Sequence, residues 1–261
     1  MTKKTITVLA ASGILLTGLS AFAFTSFVDV SAMGFGKNRN QTTQNSNSNY
    51  SANTQAHYQD LSALPKEDLS NDEKEALLYM REEEKLARDV YLTLGEKYDL
   101  SVFKNIAKAE QKHMDTIKLL LDKYGLTDSV SSNDIGKFNN QTLAGLYTDL
   151  VNKGSASKLE ALKIGATIED LDIKDLKNDL AKTDNQDIKQ VFESLEKGSE
   201  NHLRSFVRNI ENQGGSYSPQ YISQADYDRI LASSNEQGQG GKSLSGQGQN
   251  QDGQGRGRMG R

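Results

Sequence analysis

Four long segments of this chain repeat apolar residues at the period of an α-helix, and each interrupts the middle of its apolar stripe with an ionisable side chain. No other feature constrains the fold as tightly. A carboxylate buried in an apolar seam without compensation costs on the order of several kcal/mol, or is forced to take up a proton. A chain that buries four such interruptions is best served by bringing them together around shared positive charge.

Local signals delimit the segments. The first begins at Ser70, where Ser70, Asn71, Asp72 and Glu73 have capping-box spacing, and it runs to about Tyr98. The second starts after Ser101 and ends at Tyr124, with Gly125 placed to take the left-handed conformation that closes a helix. The third starts at Ser157, with Glu160 three residues on, and runs to about Lys182; the fourth starts after Asp184 and ends near Asn212, ahead of Gly214 and Gly215. Strand signals are weak and the chain has only 2 prolines, so the expected class is all-α. About thirty residues separate the second and third segments, with a short helix expected over Asn140 to Asn152, whereas the other two links are short. Short, long, short connections make segments one and two, and three and four, antiparallel hairpins joined by one crossover. After the fourth segment, SPQYISQADYDRIL predicts a short helix capped by Ser223, with Ile222, Tyr227, Ile230 and Leu231 packing onto the rest.

Faces follow from about 100° of rotation per residue. In the first segment Leu77, Met80, Ala87, Tyr91 and Leu94 form the stripe. Within REEEKLARDVY, residues 81–91, Glu84 falls within about 40° of its centre, Glu83 within about 60°, and Glu82 on the opposite side, toward solvent. Three consecutive glutamates also suit a solvated face, and the first segment alone leaves both readings standing. The second stripe is Val102, Ile106, Ala109, Ile117, Leu120 and Tyr124, with His113 at its middle. Glu110 lies at i, i+3 from it, a spacing that lets both side chains reach one point, as a metal pair does. The third stripe, Leu162, Ala166, Ile173, Leu176 and Leu180, has Glu169 at its centre and Asp172 on its flank. The fourth, Ile188, Val191, Leu195 and Phe206, has His202 in the middle, while Glu193, Glu196 and Glu200 point away. Gly165 and Gly198 stand four residues before Glu169 and His202, each disfavoured in a helix by about 1 kcal/mol relative to alanine. They either leave room beside a ligand or let helices approach closely, and the sequence weights the two equally.

The ends differ from this interior. Residues 1–23 join Lys3 and Lys4 to an apolar run and end on Ala21-Phe22-Ala23, a small-x-small cleavage pattern, so they read as a signal peptide; an uncleaved N-terminal membrane anchor is the minority alternative. Residues 24–59 form a polar linker and 234–261 a Gly/Gln-rich tail, both too poor in aliphatic residues to repay ordering, which leaves 60–233 as the folded domain. Cysteine is absent, which removes disulfides, thiolate ligands and cysteine nucleophiles. A net charge of −4 with interspersed signs gives no footprint for nucleic acid.

With Glu84, Glu110-Gln111-Lys112-His113, Glu169 and His202 in that order on successive helices, the domain resembles the ferritin-like di-iron carboxylate superfamily. More closely, EEEKLARDVY, EALKIGATIEDLDIKDL, GSENHLRSFV and YSPQYISQADYDRIL resemble the DUF2202 family of exported ferritin-like proteins, over residues 70–233. The resemblance implies a ferritin-like four-helix bundle with a long crossover between its second and third helices. It implies metal ligation by Glu84, Glu110, His113, Glu169 and His202, with Tyr91 as the tyrosine that follows the first ligand. One position departs. Ser199 stands where the superfamily has a glutamate three before the last histidine, and Asp172 is the candidate to supply that carboxylate; without it, one ion is held firmly and the second weakly.

Two histidines with three or four carboxylates suit a pair of iron or manganese ions. The expectation is therefore a secreted, metal-binding redox protein that oxidises ferrous iron or reduces peroxide, with dioxygen or peroxide as co-substrate, Glu110 or Glu169 as bridges, and Tyr91 tuning a ligand. The alternatives are an exported protein that binds metal without turnover and a purely structural helical domain.

Overall fold

Each long segment becomes a helix because its end signals are met. In the computed structural model the described residues are 61 and 63–233; the expected signal peptide, polar linker and Gly/Gln-rich tail lie outside them. Helix α1 (Asn71–Tyr98) opens on Ser70, whose side chain accepts from the Glu73 amide while the Glu73 carboxylate accepts from the Ser70 amide at 2.9 Å. It ends on Asp99 in the left-handed region. Helix α2 (Ser101–Tyr124) stops at Gly125, φ 71°, where a side chain would be strained. Asn140 caps α3 (Gln141–Gly154), and Ser157 caps α4 (Lys158–Leu180). Helix α5 (Gln186–Asn212) has no cap bond from its own Asn185 side chain. Glu73 supplies it instead, accepting from the amides of Asp184 and Asn185 at 3.2 Å each. One glutamate thus closes its own helix and a second one far along the chain. Ser223 caps α6 (Gln224–Ala232). Among the described residues there are six helices and no strand, so the class is all-α.

The links set the pairing. Only Asp99 and Leu100 separate α1 from α2, and Ala181 to Asn185 separate α4 from α5, so each pair runs antiparallel. The four long helices close a ring in which α1 packs on α2 and α4, and α5 packs on the same two; α3 covers α1 and α4, and α6 lies on α5. Their apolar faces form two clusters. One contains Leu86, Val90, Tyr91, Phe103, Leu203 and Phe206, and takes in Ile222, Tyr227 and Ile230 from the C-terminal segment, with Leu231 packed against it. The other gathers Leu77, Met80, Ile117, Leu120, Leu176 and Phe192. Each large side chain so buried contributes about 1.5–3 kcal/mol.

The crossover 125–140 changes the reading of α1. Every residue from Met80 to Tyr91 is buried, including Glu82, which the face arithmetic assigns to solvent. The crossover lies over that outer face and, Arg81 Nη1 apart, its polar groups are matched there. Arg81 donates twice to Asp128 at 3.0 Å, Lys85 donates to the Asp134 carbonyl at 2.8 Å, and Glu82 accepts from the amides of Asn139 and Asn140 at 2.8 and 3.1 Å. Glu82 is thus a loop anchor. A single helix's periodicity cannot reveal a cover supplied by residues fifty positions away. Among the described residues no helix is long and apolar enough to cross a membrane.

Candidate metal centre

Between the two apolar clusters the four interruptions meet. Glu84 comes from α1, Glu110 and His113 from α2, Glu169 from α4 and His202 from α5; the three glutamates are buried and the two imidazoles nearly so. They form two triads, Glu84–Glu110–His113 and Glu110–Glu169–His202, and in each the candidate ligand atoms lie within 4.8 Å of one another. Glu110 belongs to both. Its Oε2 is 2.8 Å from His113 Nδ1 and its Oε1 is 2.9 Å from His202 Nδ1. Glu84 Oε2 lies 3.2 Å from His113 Nδ1, and Glu169 Oε2 lies 3.4 Å from His202 Nδ1. The two rings stack with centroids 5.6 Å apart.

The pattern of satisfied and unsatisfied atoms suits cation binding. Glu84 Oε1, Glu110 Oε1 and His202 Nδ1 are buried without a hydrogen bond. Glu110 Oε1 and His202 Nδ1 are close, but the ring N–H does not point along the line between them. Donor atoms that face a common space rather than one another are what a metal ion requires, and carboxylate with imidazole is the donor set of iron, manganese and zinc.

Electrostatics carry the same demand. Burial, with Glu110 adding to it, pushes Glu169 up to about 7. Burial also lifts Glu84 to about 7, against the pull of His113. Burial would lower His202, but Glu110 and Glu169 outweigh it and hold the imidazole at about 10. His113 is raised well above its ordinary value against the same burial, by Glu84 and Glu110. Glu110 itself is held far below the usual carboxylate range, because the two imidazoles outweigh its desolvation. Positive charge is wanted here, and protons on the histidines meet part of that demand.

Neighbouring groups orient the ligands. Tyr91 donates from its hydroxyl to Glu169 Oε1 at 2.5 Å, and its ring packs 5.2 Å from Phe206 and 5.8 Å from Phe103, walling one end with aromatic surface. The two glycines part company. A Cβ on Gly165 would run into the Phe206 ring, so that glycine serves close helix packing. A Cβ on Gly198 would lie 2.7 Å from His113 Cε1 and 2.8 Å from its Nε2, so that glycine makes room for a candidate ligand.

Asp172 stands beside the triads and belongs to neither. Its Oδ2 accepts from the Ser199 hydroxyl at 2.5 Å and its Oδ1 has no hydrogen-bond partner. Ser199, the departure in sequence, thus holds the aspartate considered as its substitute. Helical periodicity places Glu83 at the edge of the stripe, but it is buried, and both of its oxygens lack a hydrogen-bond partner. The signal for it was the face-matched aspartates of α4, which become relevant only once α1 and α4 are known to pack.

Fold and site together define a class: an all-helical protein with a buried carboxylate–imidazole centre in which one glutamate joins two triads. The chain belongs to the family described as uncharacterized protein domain DUF2202, whose model matches residues 73–234. It is 57% identical over 178 residues to the uncharacterized protein MJ0754 of Methanocaldococcus jannaschii, covering 68% of this chain and 96% of that one. It is also similar to the crystal structure of hypothetical protein MJ0754 from Methanococcus jannaschii DSM 2661, with a TM-score of 0.66 at 57% identity, over 66% of this chain and 99% of that chain.

Proposed function

We propose that this chain is an exported, ferritin-like four-helix-bundle protein that holds two iron or manganese ions and uses them in ferrous-iron oxidation or peroxide reduction. The observation that carries the reading is Glu110, one oxygen toward each histidine, 2.8 and 2.9 Å away. A carboxylate so divided would suit two ions at once, with Glu84 and His113 placed so that they would hold one and Glu169 and His202 the other. Such a pair, when bound, would supply one-electron steps and Lewis acidity toward dioxygen or peroxide. The chain's own groups prepare the site. Tyr91 fixes the orientation of Glu169, Gly198 leaves space for His113, and the Tyr91–Phe103–Phe206 wall limits water on one side. Export rests on the N-terminal apolar run with its small-x-small motif.

A second reading, metal binding without turnover, is favoured by one specific observation. Ser199 replaces a carboxylate and ties up one oxygen of Asp172, which leaves the centre with three carboxylates and two imidazoles.

Metal analysis of protein purified without added metal tests both. Two equivalents of iron or manganese, at least one lost in each of His113→Ala and His202→Ala, are expected on either reading. Peroxide-dependent oxidation of a dye by the loaded protein selects the enzyme. Metal-free protein whose melting is unchanged by chelator would overturn both.

A further inference from the structure

Glu83 is 3% exposed, and neither carboxylate oxygen has a hydrogen-bond partner. It is the one acidic residue among the described residues in which both oxygens are buried and unbonded. Helix α1, which carries it, packs against α4, where Asp172 is 6% exposed with Oδ1 likewise unbonded. Burial and then the Asp172 carboxylate, with Asp175, Glu84 and Asp179 behind it, push Glu83 well above the usual carboxylate range. The groups that act on this pair are acids, the Ser199 hydroxyl, which donates to Asp172 Oδ2 at 2.5 Å, and the Tyr79 phenol. Tyr79, one turn before Glu83, is raised by its own burial and by the same group: Glu83, Asp175, Asp179 and Asp172. On α4, Asp172, Asp175 and Asp179 share one face at i, i+3 and i+7; Asp172 is buried, whereas the side chains of Asp175 and Asp179 are 22% and 17% exposed. Lysines pair with the outer two, Lys174 with Asp175 at 3.1 Å and Lys182 with Asp179 at 3.9 Å. Among the described residues no lysine or arginine pairs with the inner two.

Glu83 has no donor and Asp172 one, the Ser199 hydroxyl, and buried carboxylates so poorly matched and without a counter-ion are strongly disfavoured unless a cation reaches them. We infer that Glu83 and Asp172 form an additional divalent-cation site beside the Glu84/Glu110/Glu169 centre, through which ions enter from the rim carboxylates Asp175 and Asp179. The inference rests on the metal-centre reading for its destination, and on Glu83 and Asp172 for its own ligands. The inner carboxylates, with which no basic side chain among the described residues pairs, raise the local cation concentration and the rate of loading, typically ten- to a thousandfold where one sign of charge lines a cleft. Oxygen-only donors bind more weakly than a set containing imidazole, so the site holds an ion in passage.

The test uses the full chain, stripped by chelator and reloaded anaerobically with Co2+. Visible bands of Co2+ report ions bound to imidazole, and equilibrium dialysis reports all ions bound. Wild type is expected to bind about one equivalent more than its imidazole bands account for. Glu83→Gln and Asp172→Asn should each lose that equivalent and develop full-intensity imidazole bands about tenfold more slowly. Glu83→Gln should also raise the melting temperature of metal-free protein, which shows that the variant folds; Glu193→Gln, an exposed acid, should change nothing. Unchanged total binding and unchanged loading rate in both variants would overturn the inference. Failure of the metal-centre reading looks different: imidazole bands would be absent from wild type, while an equivalent lost on Glu83→Gln would still mark the acidic site.

Discussion

Gly198→Ala offers the sharpest separation between a glycine kept for packing and one kept for a ligand. The new Cβ would sit 2.7 Å from His113 Cε1 and 2.8 Å from Nε2, whereas ordinary contact begins at 3.4 Å, so the ring must withdraw by about 0.7 Å. Its Nδ1 is already engaged, 2.8 Å from Glu110 and 3.2 Å from Glu84, so the ring cannot shift without leaving ligand geometry. Metal–ligand distances tolerate only about 0.2 Å of error. Alanine in mid-helix meanwhile contributes about 1 kcal/mol over glycine, which offsets part of the crowding in the metal-free state. The expected result is a metal-free melting temperature near that of wild type with affinity for one ion reduced ten- to a hundredfold, the range seen when the support of a ligand is lost. Competition against a chromophoric chelator measures the affinity, and calorimetry of the stripped protein measures the fold. Gly165→Ala is the contrast: it collides with Phe206, so it should destabilise the fold by about 1–3 kcal/mol as overpacking does, with both metal sites retained. Wild-type affinity in Gly198→Ala would refute the assignment of His113 as a ligand held in this position.

Glu82→Ala should leave the Asn139 and Asn140 amides without their acceptor, at about 1 kcal/mol for each of these part-buried bonds, and lower the melting temperature while metal stoichiometry stays that of wild type. Tyr91→Phe removes the hydroxyl that Glu169 accepts from and should cost about 1.5–3 kcal/mol; with one donor fewer on the carboxylate, the pH midpoint of metal binding should move upward with stoichiometry unchanged. Stability of the stripped protein should fall as pH rises. Glu84 and Glu169 go from an ordinary 4.5 to about 7, and His202 from 6.5 to about 10, so the folded chain binds more protons than the unfolded one across these intervals. That stabilisation is complete below the lower value of each group and is lost as pH passes the upper one. Glu110 has the opposite sign, contributing above its ordinary 4.5 and losing its effect as pH drops below, so thermal melts from pH 5 to 9 isolate the first trend. Metal-loaded protein should show the reverse slope, since ions take the place of those protons; parallel slopes with and without metal would contradict the centre.

What the sequence determined by itself was local and periodic. Ser70, Asn140, Ser157 and Ser223 cap helices because a hydroxyl or amide oxygen at that spot reaches an amide two or three residues on, and Gly125 ends α2 because it tolerates φ 71°. The apolar period likewise brought Glu84, Glu110, Glu169, His113 and His202 to inward faces, since a side chain's direction on a helix depends only on its place in the chain. Tertiary packing decided the rest. Glu82 became a loop anchor because the crossover lies over the outer face of α1, and Gly165 and Gly198, alike in sequence, took different tasks because Phe206 faces one and His113 the other. Glu83 gained its meaning only from Asp172 on another helix. Distances between helices are not written in any one helix's period, and whether a buried carboxylate is a liability or a ligand is decided by the charges that neighbouring helices bring within reach of it.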